Sequence, residues 1–166
     1  MRFYSVAFRQ CPPDIFYMRP SFSYRADSAV PDFPDDKPII VFDGYCALCS
    51  GWAAFVLRHD PDGKFRLVSA QSPLGHALYR HYGLDPDDYE TNILLSEGVA
   101  WFKSEGSIRM AEGLGFPWSL AAVFRLLPMH WRDALYSTIA RNRLRWFGKR
   151  QTCYRPDPTF AWRFLQ

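Results

Sequence analysis

The chain has few cysteines, four in 166 residues, and no apolar run near the ~20 residues that would span a bilayer. No apolar block follows Arg2 and Arg9, so the start does not read as a secretion signal. The same stretch is rich in Arg and aromatic residues, which leaves open an organellar transit segment or a shorter chain beginning at Met18. With no such signal and only four cysteines, a disulfide-stapled secreted domain is disfavoured, and a reducing, cytoplasmic setting is expected. There is no glycine-rich phosphate loop, no internal repeat and no low-complexity stretch. His59, His76, His81 and His130 show no metal-ligand spacing, and no second CxxC accompanies the first.

What is present points to one folded domain. Hydrophobic residues make up 48% of the chain, enough for a real core at this length. The net charge of +3 is uneven. Residues 128–166 hold eight Lys/Arg and two acids (+6), and residues 1–127 hold twelve and fifteen (−3). A basic end of this kind reads first as a solvated helix face, with weak contact to an anionic membrane surface through the C-terminal helix as a further reading. Its aromatics fall on the apolar stripe, which places stacking platforms poorly, so no specific nucleic-acid partner is expected.

Residues 1–36 read as a tail broken by Pro12, Pro13, Pro20, Pro31 and Pro34, and the domain is expected over 37–166. The run 38–43 (PIIVFD) reads as a strand buried on both faces. A helix fits 47–59, with Leu48, Trp52, Phe55, Val56 and His59 on one stripe, and Asp60-Pro61-Asp62-Gly63 stops it. A strand at 65–70 leads to Ser72 as N-cap and Pro73 at the first helical position. A hairpin is expected from 92–95 and 99–102, turned at Glu97-Gly98. Helices near 105–114, 118–127 and 130–147 follow. The last should set Trp131, Leu135, Ile139 and Trp146 on the core, with Arg141 and Arg145 outside. The order is that of an α/β, thioredoxin-like (glutaredoxin-type β-α-β-α-β-β-α) core with added C-terminal helices.

Cys46-Ala47-Leu48-Cys49 places two thiols three residues apart at the start of the first helix, on one face. The first sulfur sits beside unpaired N–H groups and the positive end of the helix dipole, which favour its thiolate. Cys46 is therefore the expected nucleophile and Cys49 the resolving thiol of a thiol–disulfide oxidoreductase, working on a thiol or disulfide substrate without a cofactor. Asp43, three residues before Cys46, has two readings: a proton shuttle for the second thiol, or a side chain bonding the turn. Tyr45 and Trp52 are candidates for an apolar rim. The alternatives are a metal site, zinc or iron–sulfur, and a partner-binding module on the same scaffold. Ala47-Leu48 offers no cation to stabilise the thiolate further.

The run Phe42-Asp43-Gly44-Tyr45-Cys46-Ala47-Leu48-Cys49 resembles the DxxCxxC opening motif of the DCC family of thiol–disulfide oxidoreductases. Phe65-Arg66, Ala70-Gln71-Ser72, Ile139 to Arg143, Trp146-Phe147-Gly148, and Cys153 with Pro156 resemble its later motifs, so the likeness spans about 38–165. It implies a thioredoxin-like fold, with Asp43, Cys46 and Cys49 as site residues and Cys153 as an additional candidate. One departure from ordinary thioredoxins is the missing cis-proline before the third strand, where Tyr89-Glu90-Thr91 stand instead.

Overall fold

The computed structural model describes residues 19–165; the expectations for 1–18 lie outside these residues. Four strands form at the expected places: β1 (Ile39–Phe42), β2 (Arg66–Ser69), β3 (Ile93–Ser96) and β4 (Val99–Phe102). A fifth, β5 (Phe164–Leu165), completes a sheet of order β4-β3-β1-β2-β5. β1 runs parallel to β2 and antiparallel to β3, and β3 pairs antiparallel with β4. The β3–β4 turn has positive φ at both Glu97 and Gly98, the geometry that matches strand twist in a tight hairpin.

Helices α1 (Ala47–His59), α2 (Pro73–His81), α3 (Lys103–Gly113) and α4 (Met129–Trp146) fill the expected order. Alternation along the strands divides the core. Ile39, Val41, Val68, Ile93 and Leu95 pack with Leu74, Leu78 and Tyr79 of α2. On the other face, Ile40 and Leu94 meet Val56 of α1 and Met110 of α3, while Phe42 and Leu67 meet Ala53 and Leu57 of α1. The chain is an α/β fold with a mixed sheet, consistent with a thioredoxin-like core plus C-terminal helices.

Several details differ from the sequence reading. Residues 19–36, expected to be tail, pack on the domain. Tyr24 and Val30 are buried, Phe22 N donates to Gly98 O (2.8 Å), and Arg25 pairs with Asp35 (2.9 Å). Prolines limit regular structure there to the short 3-10 helix Ser23–Ala26, but do not prevent burial of the rings between them; Tyr24 stacks on Phe33. In α1 the buried set is Cys49, Ser50, Ala53, Val56 and Leu57, of which the first three are small and let the helix approach the sheet. Leu48, Trp52 and Phe55 lie at its border, and His59 is exposed.

The third difference concerns α4. Its buried residues are Ala140 and Arg143, while Trp131, Leu135 and Trp146 are exposed. Polar contacts turn the helix this way. Arg132 pairs with Glu105 of α3 (3.1 Å), Asp133 accepts from the Ser104 hydroxyl, and the Tyr136 hydroxyl accepts from Asn92 N (3.2 Å). Glu105 also binds Arg125 (3.0 Å) from the 3-10 helix Trp118–Leu126, which replaces the α-helix expected there. β5 was not anticipated: its two residues carry no periodicity, and it is set by the preceding Arg163. That side chain is 1% exposed, ion-paired with Asp60, and donates to Phe65 O (3.0 Å).

Candidate active site

Cys46 is the N-cap of α1, and its Sγ accepts from Cys49 N at 3.3 Å. The strand-to-helix turn that places it is closed by Asp43, whose Oδ1 accepts from Tyr45 N (3.0 Å) and from Gln71 Nε2 (2.7 Å). Gln71 Oε1 in turn accepts from Gly44 N (3.0 Å). The turn-bonding reading of Asp43 is thus what the geometry displays.

The Cys49 thiol hydrogen-bonds the Cys46 sulfur, and with the Cys49 backbone N–H it draws the Cys46 pKa down from 9.0 to about 6, against the opposing effect of burial. The same bond, then burial, pushes the Cys49 thiol up. The asymmetry makes one sulfur an anion near neutral pH and leaves the other as its proton-bearing neighbour.

A cation does reach this pair, from a place the local sequence did not reveal. Arg143, on the inner face of α4, lies 3.6 Å from Asp43 and 3.7 Å from Asp88, and its charge favours both thiolates. Its guanidinium donates to Ala140 O (2.7 Å), while Nε is buried without a hydrogen-bond partner. The i, i+4, i+8, i+11 spacing of Arg132, Tyr136, Ala140 and Arg143, which sets them on one helical face, was the available signal, hidden because an apolar stripe elsewhere on the helix competed for the inward direction.

Cys46 is fully buried. Residues 148–150 lie over it: Lys149 bridges Cys46 antiparallel, Gly148 O accepts from Ala47 N (3.3 Å), and Arg150 N donates to Tyr45 O (2.8 Å). Tyr45 is half-buried, with Lys149 Nζ 5.8 Å from its ring centre. Cys49, by contrast, lines a cavity of about 210 Å³ with Leu48, Trp52, Tyr136, Ile139 and Arg143. Cys153 returns to the turn before the dithiol, where Tyr154 N donates to Gly44 O (2.9 Å) and Cys153 Sγ lies 3.4 Å from Ser69 Oγ. Among the described residues no group of three His, Cys, Asp or Glu side chains is placed to hold a metal ion.

Comparison with known proteins agrees with this site. A family model described as DCC1-like thiol-disulfide oxidoreductase matches residues 40–149. The chain is 38% identical over 127 residues to an uncharacterized protein, YuxK, of Bacillus subtilis, covering 76% of this chain and 93% of that one. It is 34% identical over 120 residues to a chloroplastic DCC family protein of Arabidopsis thaliana, covering 72% and 70%. No solved structure matches. With the matched segment running from β1 through α4 to the residues above Cys46, the chain belongs to the DCC1-like thiol–disulfide oxidoreductase family.

Proposed function

We propose that the protein exchanges electrons with a disulfide substrate through Cys46 and Cys49. The Cys46 thiolate attacks one substrate sulfur; the substrate S–S bond breaks, a mixed disulfide forms, and the other half leaves as a thiolate. Cys49 then gives up its proton and attacks Cys46 Sγ. The second half departs as a thiolate, and the Cys46–Cys49 disulfide holds the two-electron oxidation. The reverse sequence oxidises a dithiol.

The carrying observation is the Cys49 N–H donated to the Cys46 sulfur at a helix start, where the Cys46 thiol is held below its ordinary pKa. Asp43 acts here as a positioning residue: it closes the turn and faces Arg143. Tyr45 is assigned to the rim because its backbone borders Cys46 and its ring is half-open. Access to Cys46 needs residues 148–150 to lift, and the cavity beside Cys49 is then the place for the substrate group next to the sulfur. No described helix is long and apolar enough to cross a membrane. A reducing, cytoplasmic compartment remains the proposed setting, one that keeps the dithiol ready for a substrate disulfide.

The test is the redox equilibrium of the pair and turnover of a small disulfide. A Cys46–Cys49 disulfide in equilibrium with a thiol buffer, and loss of turnover in both Cys46→Ser and Cys49→Ser, are expected. Full turnover in Cys46→Ser would overturn the assignment.

A further inference from the structure

We infer that the outer face of α4, together with the 3-10 helix before it, docks on an anionic lipid surface. Among the described residues, the large apolar side chains left exposed concentrate between Phe116 and Phe147. Leu126 is 84% exposed, Trp131 67% and Leu135 63%. These values decide against ordinary surface scatter, because one continuous stretch of chain holds nearly all of the exposed large apolar residues. At 3.6 residues per turn, Trp131, Leu135 and Trp146 fall within about 60° of one another on α4.

Charge selects the occupant. No acid occurs between Asp133 and Asp157, whereas Arg141, Arg145, Lys149, Arg150 and Arg155 all do and all are exposed. The cations of this region that have carboxylate partners point inward: Arg132 to Glu105, Arg143 to Asp43. Arg141 and Arg145, flanking the apolar strip, have none among the described residues. Trp and Leu on one strip, Arg on the next and no acid is the composition of a helix lying in a bilayer interface. A second copy set against the same face would bring two rows of Arg together, which disfavours self-association. Since the inner face of α4 carries Arg143 to the dithiol, docking would set that site about one helix diameter, ~10 Å, from the lipid.

The test uses the full chain with vesicles of phosphatidylcholine, alone or mixed with phosphatidylglycerol. Sedimentation with the mixed vesicles only is expected, weakened by salt and by on the order of fivefold for each of Arg141→Gln and Arg145→Gln. Trp131→Ala and Trp146→Ala should weaken it as well. Brominated lipids should quench tryptophan emission of the unaltered chain, a readout that depends on no variant folding. Absence from both pellets overturns the inference. So does vesicle binding without quenching, or a solution dimer dissociated by Leu135→Glu, which would assign the face to a second copy.

Discussion

Arg143 Nη2 stands 3.6 Å from Asp43 Oδ2, and both side chains are all but buried. The pair ties the end of β1 to the last turns of α4 and brings a guanidinium to the dithiol from the far end of the domain. Asp43 and Asp88 lie 3.6 and 3.7 Å from it, longer than hydrogen bonds, and its charge also favours both thiolates.

Replacing Arg143 by Gln should therefore raise the Cys46 pKa, since Asp43 then opposes the thiolate without its partner. Leaving Asp43 without its cation should also cost on the order of 1–3 kcal/mol of stability. Alkylation of the reduced protein across pH reads the first effect, and urea unfolding the second. An unmoved alkylation midpoint would remove Arg143 from the site.

The Cys49 thiol is the largest influence holding Cys46 down. Cys49→Ser keeps an O–H donor and should leave the Cys46 pKa near its present value, whereas Cys49→Ala should raise it. With one thiol ionised above about 6, the reduction potential of the pair should change slope there. Below that pH two protons accompany two electrons, roughly 60 mV per pH unit; above it one proton, roughly 30 mV. Stability of the reduced protein follows the same ionisation. The folded pKa lies below the ordinary 9.0, so the contribution of Cys46 is complete above 9 and is lost as pH falls through about 6. A potential that keeps a constant slope from pH 5 to 8 contradicts the lowered pKa.

The core elements were legible because local pattern and burial agree there: β1 is apolar throughout, Ser72 and Pro73 start α2 as caps do, and Glu97-Gly98 turns a hairpin. The dithiol was legible because CxxC directly follows that buried strand. Arg143 was not, since the sequence around Cys46 cannot show which distant helix covers it. The facing of α4 misled for a related reason. Apolar periodicity gives a stripe but no direction, and here Glu105 and Asp43 turn the Arg132–Arg143 side inward. Cys153, an additional candidate by resemblance, sits against Gly44 and Ser69 at the turn before the dithiol.

Burial of Cys46 beneath residues 148–150 makes its reactivity depend on opening of that segment. Its alkylation rate should reach a plateau as reagent concentration rises. Gly148 has φ +87°, and Gly148→Val should strain the segment by roughly 1–2 kcal/mol, enough to speed opening about tenfold. A rate strictly proportional to reagent, unchanged by Gly148→Val, would show that the segment does not limit access.

The chain just beyond that cover is anchored at Gly44 through Tyr154 N. A Cβ added there would lie 2.5 Å from Cys153 Sγ, 3.1 Å from Ser69 Oγ and 3.2 Å from Gln71 Oε1. Gly44→Ala should therefore displace Cys153, break the Tyr154 N to Gly44 O bond and cost ~1–3 kcal/mol. Removing the sulfur relieves the worst contact, so Gly44→Ala with Cys153→Ala should recover part of that loss, and a double-mutant cycle in urea measures the recovery. Gln71 is the second readout. It joins Gly44 N to Asp43 Oδ1, so any push on its amide reaches the carboxylate that faces Arg143. The alkylation midpoint of Cys46 should then move in Gly44→Ala and return toward the wild-type value in the double variant. Strict additivity of the two substitutions, with no shift in that midpoint, would separate Cys153 from the site and leave it a packing residue.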